Sequence, residues 1–195
     1  INNLTEYFLN FYTPSIDLIH SKGDAVEKRK KAYSEELSER IIKLMQYFIG
    51  RDMKEFPLPC LSKWMGGTIT SVERGIYATE ITVTREMTNP AGYFHGGFQS
   101  ALLDDAMGYA CATLGYEKQF LSTNFSIDYL GTAHAGEIVQ VKAWIYREGK
   151  TVLHAVGEII KNKKVIAKAQ SNLFISGFPV DLSVFQKQKN GHPGH

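Results

Sequence analysis

Over residues 24–49 the apolar side chains Val26, Tyr33, Leu37, Ile41, Leu44 and Phe48 recur at intervals of three, four and seven, with charges between them. That period predicts an amphipathic helix. Asp24 offers an N-cap with Glu27 three positions on, and Gly50 stands where such a helix would stop. The aromatic-rich residues 2–20, broken by Pro14, suggest a shorter helix and a turn. After Phe56-Pro57-Leu58-Pro59, a linker by composition, the period changes from 3.6 to 2. Residues 65–73 and 76–84 are expected to pair as a hairpin through Arg74-Gly75. Further strands are expected over residues 121–130, 137–146, 151–161 and 165–175, the last three forming a meander with turns at Glu148-Gly149 and Asn162-Lys163.

Between the hairpin and the later strands, residues 98–114 are small or apolar on nearly every side, with Asp104 and Asp105 as their only carboxylates. Such a helix needs to be wrapped. Gly115 suits its C-terminal end, and Ala101, Ala106, Gly108, Ala110 and Ala112 would let a sheet approach closely. Two strands, one buried helix and then four antiparallel strands predict an α+β fold, a sheet of about six strands curled around a single helix, with an N-terminal helical extension. The expected boundaries are residues 1–55 for the extension, 56–177 for the domain and 178–195 for a tail. No internal repeat competes with this reading.

Charge removes several classes of function. The 195 residues carry 22 Lys and Arg against 20 Asp and Glu, a formal net charge of +2, without the basic stripe of a nucleic-acid binder. The run Lys28-Arg29-Lys30-Lys31 precedes Glu35, Glu36 and Glu39 and fits a solvated helix face better than a phosphate site. No apolar run approaches the ~20 residues of a membrane span. Cys60 and Cys111 form neither a CxxC pair nor a disulfide framework, which points to a reducing, cytoplasmic setting, although a targeting segment before Ile1 stays open. His192 and His195 sit in a Gly/Pro-rich terminus that cannot hold two histidines in fixed geometry and offers no third ligand, so no metal is expected.

The chemistry concentrates at residues 89–104. A polar loop, Asn89-Pro90-Ala91-Gly92-Tyr93-Phe94-His95-Gly96-Gly97, runs straight into the apolar helix. Paired glycines at a helix start let a ligand reach unpaired N–H groups and the positive end of the helix dipole, which makes this a candidate oxyanion site. Asp104 then falls about two turns inside the helix, where an ionised carboxylate is costly unless hydrogen-bonded or open to a cleft.

The pattern N-x-x-G-x-x-H-G-G-x6-D, followed by Ser122-Thr123 opening a strand and by Ile127-Asp128-Tyr129-Leu130, resembles the hotdog-fold thioesterase superfamily. Within it, the phenylacetate-degradation-type and acyl-CoA-thioesterase-13-like branch is the most similar, over roughly residues 60–176. The resemblance implies a hotdog fold and hydrolysis of an acyl-CoA thioester to free acid and coenzyme A without metal or redox cofactor. It implies Asp104 as general base or nucleophile, the Gly96 N–H polarising the thioester carbonyl, Asn89 orienting water or carbonyl, Ser122 supporting the site and His95 in a mainly structural role. Gly97 and Thr123 would contact substrate, and Arg147 and Lys150 of the Arg147-Glu148-Gly149-Lys150 hairpin would meet the coenzyme A phosphates. It also implies a homodimer or a dimer of dimers, with the loop at Asn89 to Gly97 of one chain facing the Asp104 helix of the other.

Plainer roles stand beside these. Asp104 fits a structural acid, with Asp105, about 100° further around the helix, as the other base; only family spacing separates the two. Asn89 fits a turn residue, His95 a helix-start histidine, Ser122 a strand-pairing residue, and Arg147 and Lys150 a solvated turn. Phe94, Phe98, Tyr109 and Phe125 fit a core as well as an acyl tunnel. A hotdog hydratase or dehydratase using His95 and a non-catalytic acyl-CoA sensor are the alternative functions.

Overall fold

The computed structural model describes residues 33–56 and 61–180. In chain order these form α1 (Glu35–Tyr47), α2 (Leu61–Met65), β1 (Thr68–Glu73), β2 (Ile76–Thr82), α3 (Gly96–Ala112), β3 (Lys118–Tyr129), β4 (Ile138–Glu148), β5 (Val152–Lys161) and β6 (Lys164–Pro179). The strands make one antiparallel sheet in the order β1-β2-β4-β5-β6-β3. A single long helix, α3, lies against it, and this is the hotdog arrangement expected from the sequence. None of the described helices is long and apolar enough to cross a membrane.

The sheet accepts the helix because its central row is small on β4, β5 and β6. Tyr77, Ala143, Gly157 and Ala169 are register partners on β2, β4, β5 and β6. A Cβ at Gly157 would press into Leu103 and Met107 of α3. Leu102, Leu103 and Met107 are thereby almost fully buried, each removing about 1.5–3 kcal/mol of apolar surface from water. Small residues on the sheet, as much as those expected on the helix, set the close approach. Ala106 and Ala110 of the helix are also buried, whereas Gly108 is exposed.

Several expectations need correction. The four later strands do not pair in chain order: β3 crosses to the far edge and pairs with β6, from Lys118 opposite Pro179 to Tyr129 opposite Ala167. Alternation reports which face a residue occupies, not which strand lies beside it. Met65 closes α2 instead of opening a strand, and the hairpin strands are β1 and β2. The buried helix begins at Gly96 and ends at Ala112, two residues before the expected bounds at each end, because the His95 side chain caps its N-terminus. The long N-terminal helix is shorter than its period suggested. Ser34 is extended and its side chain accepts the Leu37 N–H, so α1 starts at Glu35 and not near Asp24. Tyr33 forms an isolated bridge with Tyr116. The expected cap at Asp24, the basic run at residues 28–31, the prolines at 57 and 59, Cys60 and the C-terminal histidines lie outside the described residues. Phe56, taken as linker, is 1% exposed and packs edge-on against Tyr109.

The α1 segment docks onto the exit of α3. Ser34 N–H donates to the Gly115 carbonyl at 2.8 Å, and Ser38 Oγ donates to the Thr113 carbonyl at 2.6 Å. Gly115 has φ +78°, and a Cβ there would run into the Ser34 carbonyl oxygen and the Ser38 backbone. Gly115→Ala is therefore expected to cost on the order of 1–3 kcal/mol. The check is urea unfolding, with the midpoint lowered at constant slope. An unchanged midpoint would show that this docking does not constrain the turn.

Candidate functional site

One stripe of α3 escapes burial. Gly97, Asp104 and Gly108 are exposed and Ser100 and Ala101 are half-buried, positions that share a helix face at spacings of three and four. Asp104 is thus open to a cleft and hydrogen-bonded as well, the two conditions under which a carboxylate in an apolar helix is tolerated, because the sheet ends beside it at β3. Gly97, Ser100, Ala101 and Asp104 form one wall of an open groove of about 500 Å³, and Ser122, Thr123, Asn124 and Phe125 form the other. Asp105 is not among the residues that line this groove.

The β3 wall reaches the helix through a bulge. Ser122 faces Leu173 and Asn124 faces Asn172, which leaves Thr123 as the extra residue of β3. On this side of the bulge Ser122 Oγ donates to Asp104 Oδ1 at 3.2 Å. Thr123 Oγ1 donates to the Asn172 carbonyl at 2.9 Å. Seven residues along α3, burial first and the Asp104 charge second push the Cys111 thiol up to about 12, so it stays protonated and inert as a nucleophile.

At the helix start the backbone is held on both sides of one free donor. His95 N–H donates to the Met87 carbonyl at 2.9 Å, and the His95 carbonyl accepts from Phe98 at 3.0 Å and Gln99 at 3.1 Å. Gly97 N–H donates to His95 Nδ1 at 2.9 Å. The Gly97 donor and one ring nitrogen of His95 are therefore committed to each other as a cap. Gly96, as the first residue of α3, keeps an N–H that the helix cannot satisfy. Asn89 serves the preceding loop: its Oδ1 accepts from Ala91 at 3.0 Å and Tyr93 at 3.1 Å. Within one chain, the structure brings Asp104, Ser122, Thr123 and Gly97 to the groove. Asn89 and His95 are not among the residues that line it.

Arg147 and Lys150 lie at the same end of the sheet as Ser122. Ser122, Leu173, Leu153 and Glu148 form one register row across β3, β6, β5 and β4, about 14 Å at ~4.8 Å per strand. Glu148, between the two cations, is already neutralised: Arg74 grips its carboxylate with two hydrogen bonds at 2.9 and 3.0 Å, and Tyr116 Oη adds a third at 3.0 Å. Burial works to raise the Glu148 pKa, but these bonds together hold it below the usual carboxylate value. The hairpin consequently presents a net cationic tip. Arg147, Lys150, Tyr146 and His154 help line a shallow depression there.

Two neighbours of the site were not singled out by sequence reasoning. Trp64 of α2 is 68% exposed and stacks on Phe98 in the first turn of α3, centroids 5.8 Å apart at 17°. Tyr129, which the sequence offers within the run Ile127-Asp128-Tyr129-Leu130 but with no role of its own, reaches the Gly96 carbonyl. A short segment and an edge-strand end carry no periodic signal that would reveal such contacts. No group of three or more His, Cys, Asp or Glu suited to a metal occurs among the described residues.

A sheet wrapped on one helix, with a glycine turn at that helix's start and a carboxylate on its open face, defines a hotdog protein. Residues 91–167 match the model of the thioesterase superfamily. It is 29% identical over 107 residues to acyl-coenzyme A thioesterase PaaI of Escherichia coli K12, covering 54% of this chain and 75% of that protein. It is 31% identical over 87 residues to human acyl-coenzyme A thioesterase 13, covering 44% of this chain and 61% of that protein. The solved structure of the E. coli PaaI protein from the phenylacetic acid degradation operon superposes with a TM-score of 0.62 at 25% identity, covering 73% of this chain and 98% of that one.

Proposed function

We propose that the protein hydrolyses an acyl-CoA thioester to the free acid and coenzyme A, in a homodimer or dimer of dimers whose sites form between subunits. The observation that carries this reading is a separation. Gly96, with its unpaired N–H, and Asp104, with its open carboxylate, are eight residues apart on one helix, about 12 Å along its axis at 1.5 Å per residue. A thioester carbonyl within hydrogen-bond reach of one is out of reach of the other. Two copies related by a twofold axis bring the Gly96 end of one helix beside Asp104 of the other.

The edge strand supplies the means of association. β3 is twelve residues long at the sheet's edge, and Leu121 and Tyr129 within it and Leu130 just after it are 46%, 52% and 62% exposed. Such an edge invites pairing with itself.

In the completed site, Asp104 takes a proton from water as the water oxygen attacks the thioester carbon, while Ser122 holds one carboxylate oxygen and leaves the other free. Direct attack by the carboxylate is the other route open to the same residue. Negative charge on the carbonyl oxygen is met by the Gly96 N–H of the facing chain. The tetrahedral intermediate collapses by breaking the C–S bond, and the sulfur leaves as a thiolate that recovers the proton. A thiol has a pKa near 8–9, so the leaving group needs little acid help, and His95 is free to act as the cap. Asn89 steadies the loop that presents Gly96, Gly97 and Thr123 contact the substrate beside the bulge, and Arg147 and Lys150 receive the phosphates at the far end of an extended pantetheine arm.

The test is release of free thiol from short, medium, long and aryl acyl-CoAs. Stoichiometric acid and coenzyme A at a catalytic rate support the reading. Tight acyl-CoA binding with no thiol release would instead make the protein a sensor.

A further inference from the structure

We infer that Tyr129 is a positioning residue that aims the Gly96 N–H at the carbonyl oxygen, an assignment that rests on the thioesterase reading and adds a residue to it. Tyr129 ends the edge strand β3, seven residues beyond Ser122. Its hydroxyl lies 3.2 Å from the Gly96 carbonyl and 2.8 Å from Ser100 Oγ, and Ser100 Oγ in turn lies 3.0 Å from the same carbonyl. Two hydroxyl protons serve these three contacts. Either Tyr129 donates to Ser100 and Ser100 to Gly96, or Ser100 donates to Tyr129 and Tyr129 to Gly96. In both arrangements one proton ends on the Gly96 carbonyl.

That carbonyl belongs to the peptide joining Gly96 to Gly97, whose N–H is the one held by His95 Nδ1 at 2.9 Å. The peptide is therefore pinned at its oxygen by the hydroxyl pair and at its nitrogen by the imidazole. The preceding peptide is pinned through the His95 carbonyl by Phe98 and Gln99. With its own peptide plane held at the His95 carbonyl and the following plane held at both its oxygen and its nitrogen, the Gly96 N–H has one direction to point. A glycine, free to rotate on its own, needs this restraint, since an oxyanion donor is effective only when it is already in place as charge develops. The tyrosine ring adds a wall: a Cβ on Gly96 would lie 3.0–3.1 Å from its Cζ, Cε1 and Oη atoms, so the ring and the glycine fit against each other. One strand thus sets both halves of the chemistry, Ser122 at the carboxylate and Tyr129 at the donor.

The experiment compares wild type, Tyr129→Phe, Ser100→Ala, the double variant and Asp104→Asn, with kcat and KM measured on one acyl-CoA that wild type hydrolyses. Sedimentation and thermal unfolding are followed alongside. Tyr129→Phe keeps the ring and loses the hydroxyl. It is expected to lower kcat about tenfold with KM within about twofold, a part of the hundred- to thousandfold that loss of an entire oxyanion donor costs. The double variant is expected to lose more than either single change, because each hydroxyl alone can still bond the carbonyl. The Gly96 amide resonance in a 15N spectrum is expected to shift in Tyr129→Phe, a readout independent of turnover.

A Tyr129→Phe enzyme with wild-type kcat, or an unmoved Gly96 amide, overturns the assignment. So does a lower kcat accompanied by loss of the dimer, which would make Tyr129 an assembly residue. Wild type inactive on every acyl-CoA overturns the thioesterase reading, and this inference with it. Active wild type, dead Asp104→Asn and normal Tyr129→Phe removes this inference alone.

Discussion

Asp104→Asn is expected to lower kcat by more than about a hundredfold while leaving fold, melting temperature and acyl-CoA binding unchanged, because a positioned base contributes roughly a hundred- to ten-thousandfold. The amide is nearly isosteric, and position 104 is exposed in the protomer, so no packing is lost. It can still accept from Ser122 Oγ, so that hydrogen bond survives. What disappears is the capacity to take a proton or to attack. The same change at Asp105, the neighbouring carboxylate that does not line the groove, is the control and is expected to retain near-wild-type turnover. A well-folded Asp104→Asn protein with wild-type rates, or a dead Asp105→Asn protein, would move the chemistry elsewhere.

Mixing two dead variants is expected to restore activity. Gly96→Pro removes the proposed oxyanion N–H outright at a first helix position, where His95 before it is already extended at φ −64° and ψ 133°; its Cβ presses on the Tyr129 ring at 3.0–3.1 Å, so folding and dimerisation of this variant are checked first. If the donor of one chain serves the carboxylate of the other, a Gly96→Pro chain paired with an Asp104→Asn chain makes one intact site and one doubly damaged site. Random exchange at equal amounts would recover about a quarter of wild-type activity, since half the twofold dimers are mixed and each has one working site of two. The 12 Å between Gly96 and Asp104 along one helix predicts this result. Verified heterodimers without recovered activity would place both groups of each site within one chain.

The fold was largely legible because its signals were local. Alternation marked the strands, the apolar stretch with its lone carboxylate pair marked α3, and the Gly96-Gly97 pair marked its start. What escaped was relational. Nothing in the β3 sequence says that it leaves its neighbour β4 for the far edge beside β6, and that crossing is what exposes Asp104. The apolar neighbours of Asp104 along the chain leave open whether it is hydrogen-bonded inside or faces a cleft, and it faces a cleft because one strip of the helix lies past the sheet. The helix expected to start near residue 24 starts at 35 because Ser34, tied to Gly115 by a backbone hydrogen bond, is extended. The thioesterase reading of Asp104, Gly96 and Ser122 came from spacing and resemblance. The geometry adds the contact between Ser122 and Asp104, the commitment of the Gly97 N–H to His95, and the use of the Asn89 side chain by its own loop. Tyr129 and Trp64 act across elements, and periodicity cannot show which aromatic ends over a glycine.

The central claim is that this chain cleaves an acyl–sulfur bond, and the most direct measurement is thiol release by the purified protein over a panel of acyl-CoAs, with the acid product quantified beside it. The account predicts equimolar acid and free coenzyme A, released with turnover by wild type on at least one class of acyl chain and lost in Asp104→Asn. Absence of thiol release across the whole panel from a folded, associated wild-type protein would contradict it.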